Sequence, residues 1–130
     1  MGYGLRMSNH TRRNGAVVAR MHGAFNIASG VWPLLHRRSF EAVFGPKDDY
    51  WLAATVALLL AGNGTVQLIA PPTPDGLAAA RRTGMATAAV LASVDVVNVA
   101  RARISPMYLV DAAAEVGWLW AWTQVATTRS

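Results

Sequence analysis

The residues best able to do chemistry fall in pairs three or four positions apart: His22 and Asn26, Asn63 and Gln67, Asp95 and Asn98, Asp111 and Glu115, with Arg20 just ahead of the first pair. On an α-helix such spacings put both members on one face. Each pair therefore reads as a polar stripe on its own helix, and four stripes are expected to turn toward one another. Three acids against one arginine exceed what a neutral network requires. A site for a cation, a proton or a small molecule thus stands beside a purely structural network in which Arg20 pairs with an acid and the amides bridge helices. Two neighbouring acids in a low dielectric are expected to keep at least one proton at neutral pH. No metal is expected, because a single histidine among scattered acids lacks ligand spacing and the Glu-x-x-His pairs of di-metal bundles are absent. Gly62-Asn63-Gly64 is not followed by the rest of a nucleotide-binding loop, and there is no cysteine for thiolate or disulfide chemistry. No cofactor is implied.

A second group, His36, Glu41, Lys47 and Asp49, lies in one connection. These can pair with one another around the Gly45-Pro46 turn, either fixing a rigid hairpin or lining an interfacial site.

The elements that must position these groups are four apolar stretches, at about 15–35, 51–70, 83–100 and 106–126, each close to the roughly 20 residues that cross a bilayer core. The second holds no charged residue. Asp48 or Asp49 can cap it, and Pro71-Pro72 stops it. Thr73-Pro74-Asp75 is a fresh helix start outside the third stretch, and Ser105-Pro106 repeats that signal. Trp32, Tyr50, Trp51, Tyr108, Trp118, Trp120 and Trp122 mark span ends as interfacial belts. Phe40, Val43 and Phe44 suit a short helix lying in the interface. Small residues such as Gly30, Gly62, Gly64 and Ala92 permit close helix packing. The expected fold is all-α: an antiparallel bundle of four transmembrane helices over 15–126, with polar tails at 1–14 and 127–130. At helical rise, Asn26 and Glu115 fall near the midplane, with Asp95 and Asp111 toward the first and third loops. Arg20, His22, Asn63 and Gln67 fall toward the terminal face. Glu115 is expected against His22 or Arg20, and Asp95 near Asp111.

Composition agrees with lipid as the solvent: 53% of residues are hydrophobic and 15% charged, against about 25% charged in soluble domains. The net charge of +5 is scattered between the apolar runs, which suits anionic headgroups and excludes a nucleic-acid surface. The N-terminus is too polar for a signal peptide. Six basic residues fall on the side of the termini (Arg6, Arg12, Arg13, Arg81, Arg82, Arg129) and five on the other (Arg37, Arg38, Lys47, Arg101, Arg103), a balance that tilts toward cytoplasmic termini in a multi-pass protein of the cell membrane.

The run Gly30-Val31-Trp32-Pro33-Leu34-Leu35-His36, followed by Ser39-Phe40-Glu41-Ala42-Val43-Phe44-Gly45-Pro46-Lys47, Asp49 and Trp51-Leu52, resembles a family of small uncharacterised bacterial membrane proteins. Asp95, Arg103-Ile104-Ser105, Tyr108-Leu109, Asp111-Ala112 and Glu115 resemble that family's third and fourth helices. Val97-Asn98 departs from it, standing where its members carry aromatic residues. The resemblance covers about residues 21–115 and implies four transmembrane helices without an established activity. Three functions stay open at this level: a binding or transport bundle, an accessory subunit with a membrane-protein partner or a second copy, and a small enzyme acting on a lipid-like substrate. The lipid bilayer is the one partner common to all three.

Overall fold

The computed structural model describes residues 9–126. They form five helices: α1 (Asn9–Leu35), α2 (Arg37–Phe44), α3 (Tyr50–Ile69), α4 (Pro74–Ala100) and α5 (Tyr108–Ala126). Among the described residues there is no strand. Residues 1–8, which include Arg6, and 127–130, which include Arg129, lie outside the described part.

The element starts follow from local chemistry. Thr73 caps α4, its hydroxyl accepting from the Gly76 N–H at 3.1 Å, with Pro74 in the first turn where its missing N–H costs nothing. α4 ends in a reverse turn in which the Arg103 N–H donates to the Asn98 carbonyl and the Ala102 N–H to that of Val99. This puts Ala102 in the left-handed region at φ 56°, a position that glycine usually takes. α2 is the short helix expected from the Phe40 spacing. Its N-cap is His36, whose Nδ1 accepts from the Ser39 N–H.

Several boundaries differ from the sequence reading. Residues 9–14 are not tail but the first turns of α1, which continues through Gly15 without a break. The third long helix starts at Pro74 rather than 83, because nothing interrupts the helix begun by the Thr73 cap. The last starts at Tyr108 rather than 106. Asp49 occupies the cap position of α3, yet its side chain makes no capping bond. Only α3 and α4 are long and apolar enough to cross a membrane by length and composition. Arg20, His22 and Asn26 lower α1 even over the stretch free of Arg12 and Arg13, and Asp111, Glu115 and Gln124 lower α5.

The helices approach through small residues. A Cβ on Gly23 would lie 2.6 Å from the Gly64 carbonyl oxygen of α3, and one on Gly64 would lie 2.6 Å from that of Gly23; one on Gly30 would strike the Ala57 carbonyl. α1 and α3 are therefore in backbone contact along two turns, as small-residue faces allow. Gly62, counted above among such residues, faces open space. α5 runs against α1 with Gly15 meeting Val125, while His22 meets Trp118 and Trp122. The buried set is small or polar: six alanines, Leu77 and Trp122, beside Thr11, His22, Asn26, Gln67, Asp95 and Glu115. Large apolar side chains lie on the outside, including Leu58, Leu59 and Ile69 of α3, Val90 of α4, and Val110 and Trp120 of α5.

Candidate functional site

Two polar clusters occupy the interior. The first is built on His22. Gln67 reaches it from α3, its amide nitrogen 2.9 Å from His22 Nδ1. The Trp122 indole N–H donates to the same nitrogen at 3.0 Å. An indole N–H can only donate, so Nδ1 accepts, and the neutral ring carries its hydrogen on Nε2. Asn26, one turn along α1, donates to Gln67 Oε1 at 2.7 Å. Trp118 stacks on the imidazole, 4.6 Å between centroids at 14°. His22, Asn26, Gln67 and Trp122 are fully buried. Gly84 admits them: a Cβ there would meet Gln67, the Trp122 Nε1 at 2.7 Å and the His22 Nδ1 at 2.9 Å. Only a bare backbone on α4 can close over this cluster.

The second cluster is acidic. Asp95 of α4 faces Asp111 of α5 within hydrogen-bond reach, and Glu115 lies close enough to both for their charges to interact. A bond between two carboxyl groups needs one proton between their oxygens. Asp95 and Glu115 are buried, and among the described residues no arginine, lysine or histidine forms an ion pair with them.

The His22–Trp118 and Phe25–Trp118 ring contacts fix the α1–α5 register, and at helical rise that register puts Asn26 near the level of Glu115. The two clusters thus follow one another along the bundle as a polar file, with no hydrogen bond between them among the described residues. Five buried side-chain atoms lack a hydrogen-bond partner among the described residues: His22 Nε2 and Asn26 Oδ1 in the first cluster, Glu115 Oε2 and Asp95 Oδ2 in the second, and Arg81 Nε outside both. From the level of Trp122 to that of Asp111 is about 16 Å of helix, roughly half a hydrocarbon core.

Not every expected residue joins the file. Arg20 was expected to pair with an acid. Its guanidinium instead donates to the Gln67 carbonyl at 3.1 Å and the Ala70 carbonyl at 2.7 Å, both left open by the end of α3. Asn63 is exposed and donates to the Thr87 hydroxyl. Asn98 turns back on the Val94 carbonyl of its own helix. Trp118 and Trp122, assigned above to an interfacial belt, belong to the His22 cluster. Their signal was present: residues 111, 115, 118 and 122 repeat by four, three and four, which is one helix face.

The loop residues form a separate corner. Arg37 Nε donates to Glu41 at 2.7 Å, and the Lys47 N–H to the same carboxylate oxygen. The Arg37 hydrogen bond is the main cause that holds Glu41 below its ordinary value of 4.5, against a smaller opposing effect of desolvation. The Lys47 ammonium donates to the Phe44 carbonyl and lies 4.7 Å from the Tyr108 ring centre. Burial holds its amine below the ordinary lysine range, and the Glu41 charge pulls the other way. The Tyr50 hydroxyl donates to the Pro33 carbonyl at the end of α1, beneath the Arg37 guanidinium. His36 acts as a cap, and Asp49 has no partner in this corner. Phe40 and Phe44 pack on Trp32, and Phe44 on Tyr108, so the apolar face of α2 is spent on the protein.

Among the described residues, no three histidine, aspartate or glutamate side chains are arranged to hold a metal ion. Comparison with known protein families, with curated proteins and with solved structures found no match for this chain.

Proposed function

We propose that the chain is a multi-pass membrane protein, crossing four times through α1, α3, α4 and α5, whose interior binds protons or a compact cation and passes them along the polar file. The carrying observation is that both interior polar clusters keep buried atoms without a partner among the described residues, His22 Nε2 and Asn26 Oδ1 in one and Glu115 Oε2 and Asp95 Oδ2 in the other. Leaving such groups unsatisfied costs about 1–3 kcal/mol each, a cost without structural return unless something occupies them in use. The surface supports the membrane part of the reading. Large apolar side chains face outward and polar ones inward, the reverse of a soluble bundle. In α1 and α5 the polar residues His22, Asn26 and Glu115 are buried in the bundle, which is where a bilayer tolerates them. The basic residues leave the termini on the cytoplasmic side.

The test is proton flux. Purified protein is reconstituted into vesicles loaded with a pH-sensitive dye, and a pH gradient is imposed with potassium and valinomycin present. Wild type is expected to dissipate the gradient faster than empty vesicles. The isosteric Asp95→Asn/Glu115→Gln variant is expected to slow that flux by about tenfold or more, one such factor being about 1.4 kcal/mol of barrier. Flux equal to that of empty vesicles, or unchanged in the double variant, refutes proton passage.

A further inference from the structure

The first and third connections border an open cleft that the polar file does not use. Its volume is about 560 Å³, within the range of small-ligand sites. Lys47, Asp48 and Asp49 line it from one connection and Arg103 and Ser105 from the other. Below this polar rim the wall continues along α3 as Leu52 and Val56, both exposed. The two described residues with positive φ, Gly45 at 93° and Ala102 at 56°, both line it. A non-glycine residue in that region costs about 1–2 kcal/mol, and such strain collects at ligand clamps. Trp51, on the first turn of α3, is 70% exposed, as suits an aromatic side chain at a membrane–water boundary.

The charges are balanced in kind: two cations, Lys47 and Arg103, and two carboxylates, Asp48 and Asp49. Neither carboxylate is engaged elsewhere. Asp49 makes no capping bond, and neither side chain has a partner among the described residues. A purely anionic ligand would leave the carboxylates opposed to it, and a purely cationic one would leave the lysine and arginine so. A headgroup with one phosphate and one ammonium satisfies both, and an acyl chain fits the Leu52–Val56 wall below.

We propose that this cleft is a binding site for a zwitterionic phospholipid with a primary-amine headgroup, its phosphate held by Lys47 and Arg103 and its ammonium by Asp48 and Asp49. Lys47 is set for this role, since the Phe44 carbonyl and the Tyr108 ring fix its ammonium at the cleft wall. The proposal rests on the membrane reading but not on proton passage.

The experiment uses the full chain purified in a mild detergent, incubated with equal amounts of phosphatidylethanolamine, phosphatidylcholine and phosphatidylglycerol, and examined by native mass spectrometry for retained lipid. Phosphatidylethanolamine is expected to be retained about tenfold over each of the others, one charge-assisted hydrogen bond being of that order. Asp48→Asn/Asp49→Asn, two exposed changes that remove no bond of the fold, is expected to bring it down to the phosphatidylcholine level. Lys47→Met/Arg103→Met is expected to lower all three. Equal retention of the three lipids, preference for phosphatidylglycerol, or a phosphatidylethanolamine preference that survives the double asparagine variant overturns the proposal. Carbonate extraction of membranes from the same cells separates the two readings. A chain that stays in the membrane pellet but shows no headgroup preference refutes the lipid site alone. A chain that extracts refutes the membrane reading and this site with it.

Discussion

At the scale of single residues, the same side-chain chemistry has different consequences by depth. Glu41 sits in the connection, where its carboxylate holds Arg37 and the Lys47 N–H. Its folded-state titration lies below the ordinary value of 4.5, so as pH falls the unfolded segment takes up the proton first. The stabilisation is therefore complete above that value and is lost as pH falls through the folded-state titration. The exchange protection of the Gly45 amide, whose N–H closes α2 on the Glu41 carbonyl, measured relative to an unprotected amide at the same pH, is expected to fall in that acid window. Glu41→Gln is expected to show the lowered protection already at neutral pH and no further fall on acidification. His22 and the three acids were legible as polar residues at helical spacing, and Glu41 as one of a charged group in the first connection. The partner of Arg20 was not, because backbone carbonyls at a helix end carry no residue-type signal. Trp122 was misplaced for a related reason: an indole suits both an interfacial belt and a buried donor, and only the position of His22 decides between them.

At the scale of helices, packing is governed by where a hydrogen replaces a methyl. Gly62 and Gly64 are two residues apart on α3 and identical in composition terms, but they face opposite ways. Gly64→Ala would drive a Cβ to 2.6 Å from the Gly23 carbonyl and is expected to destabilise the bundle by about 1–3 kcal/mol or more. Gly62→Ala meets nothing within 4 Å and is expected to be neutral or to gain up to about 1 kcal/mol of helix propensity. Thermal unfolding in detergent compares the two, and equal effects would refute the α1–α3 contact. Helix identity and the Thr73 start were readable because caps and prolines are local. The onset of α1 at Asn9 was not, because polar residues 9–14 carry no breaker and a helix already nucleated runs back through them.

At the scale of the whole molecule, the bundle is apolar outside and polar within. Leu59 lies at the middle of α3 and is 64% exposed. On a soluble protein Leu59→Lys would change stability by within about 0.5 kcal/mol. At the centre of a bilayer it is expected to cost about 2.5–3.5 kcal/mol, seen as loss of the chain from the membrane pellet relative to Leu59→Ala. Equal partitioning of the two variants would refute the crossing by α3. The sequence reading expected four crossings, with only the second stretch free of charge; by length and composition two helices qualify, α3 and α4. The difference arises because a hydropathy average counts a polar side chain equally whether it faces outward or a neighbouring helix.

The two bonds from Arg20 to the end of α3 carry a consequence for biogenesis. The guanidinium finds its acceptor in the carbonyl of a residue fifty positions later in the chain. In a bilayer, α1 cannot shed its charge into lipid until Ala70 has been synthesised and has folded back beside it. On the proposed four-crossing topology, the first helix is expected to enter the membrane together with α3, as a hairpin whose later arm supplies the acceptors for the earlier one.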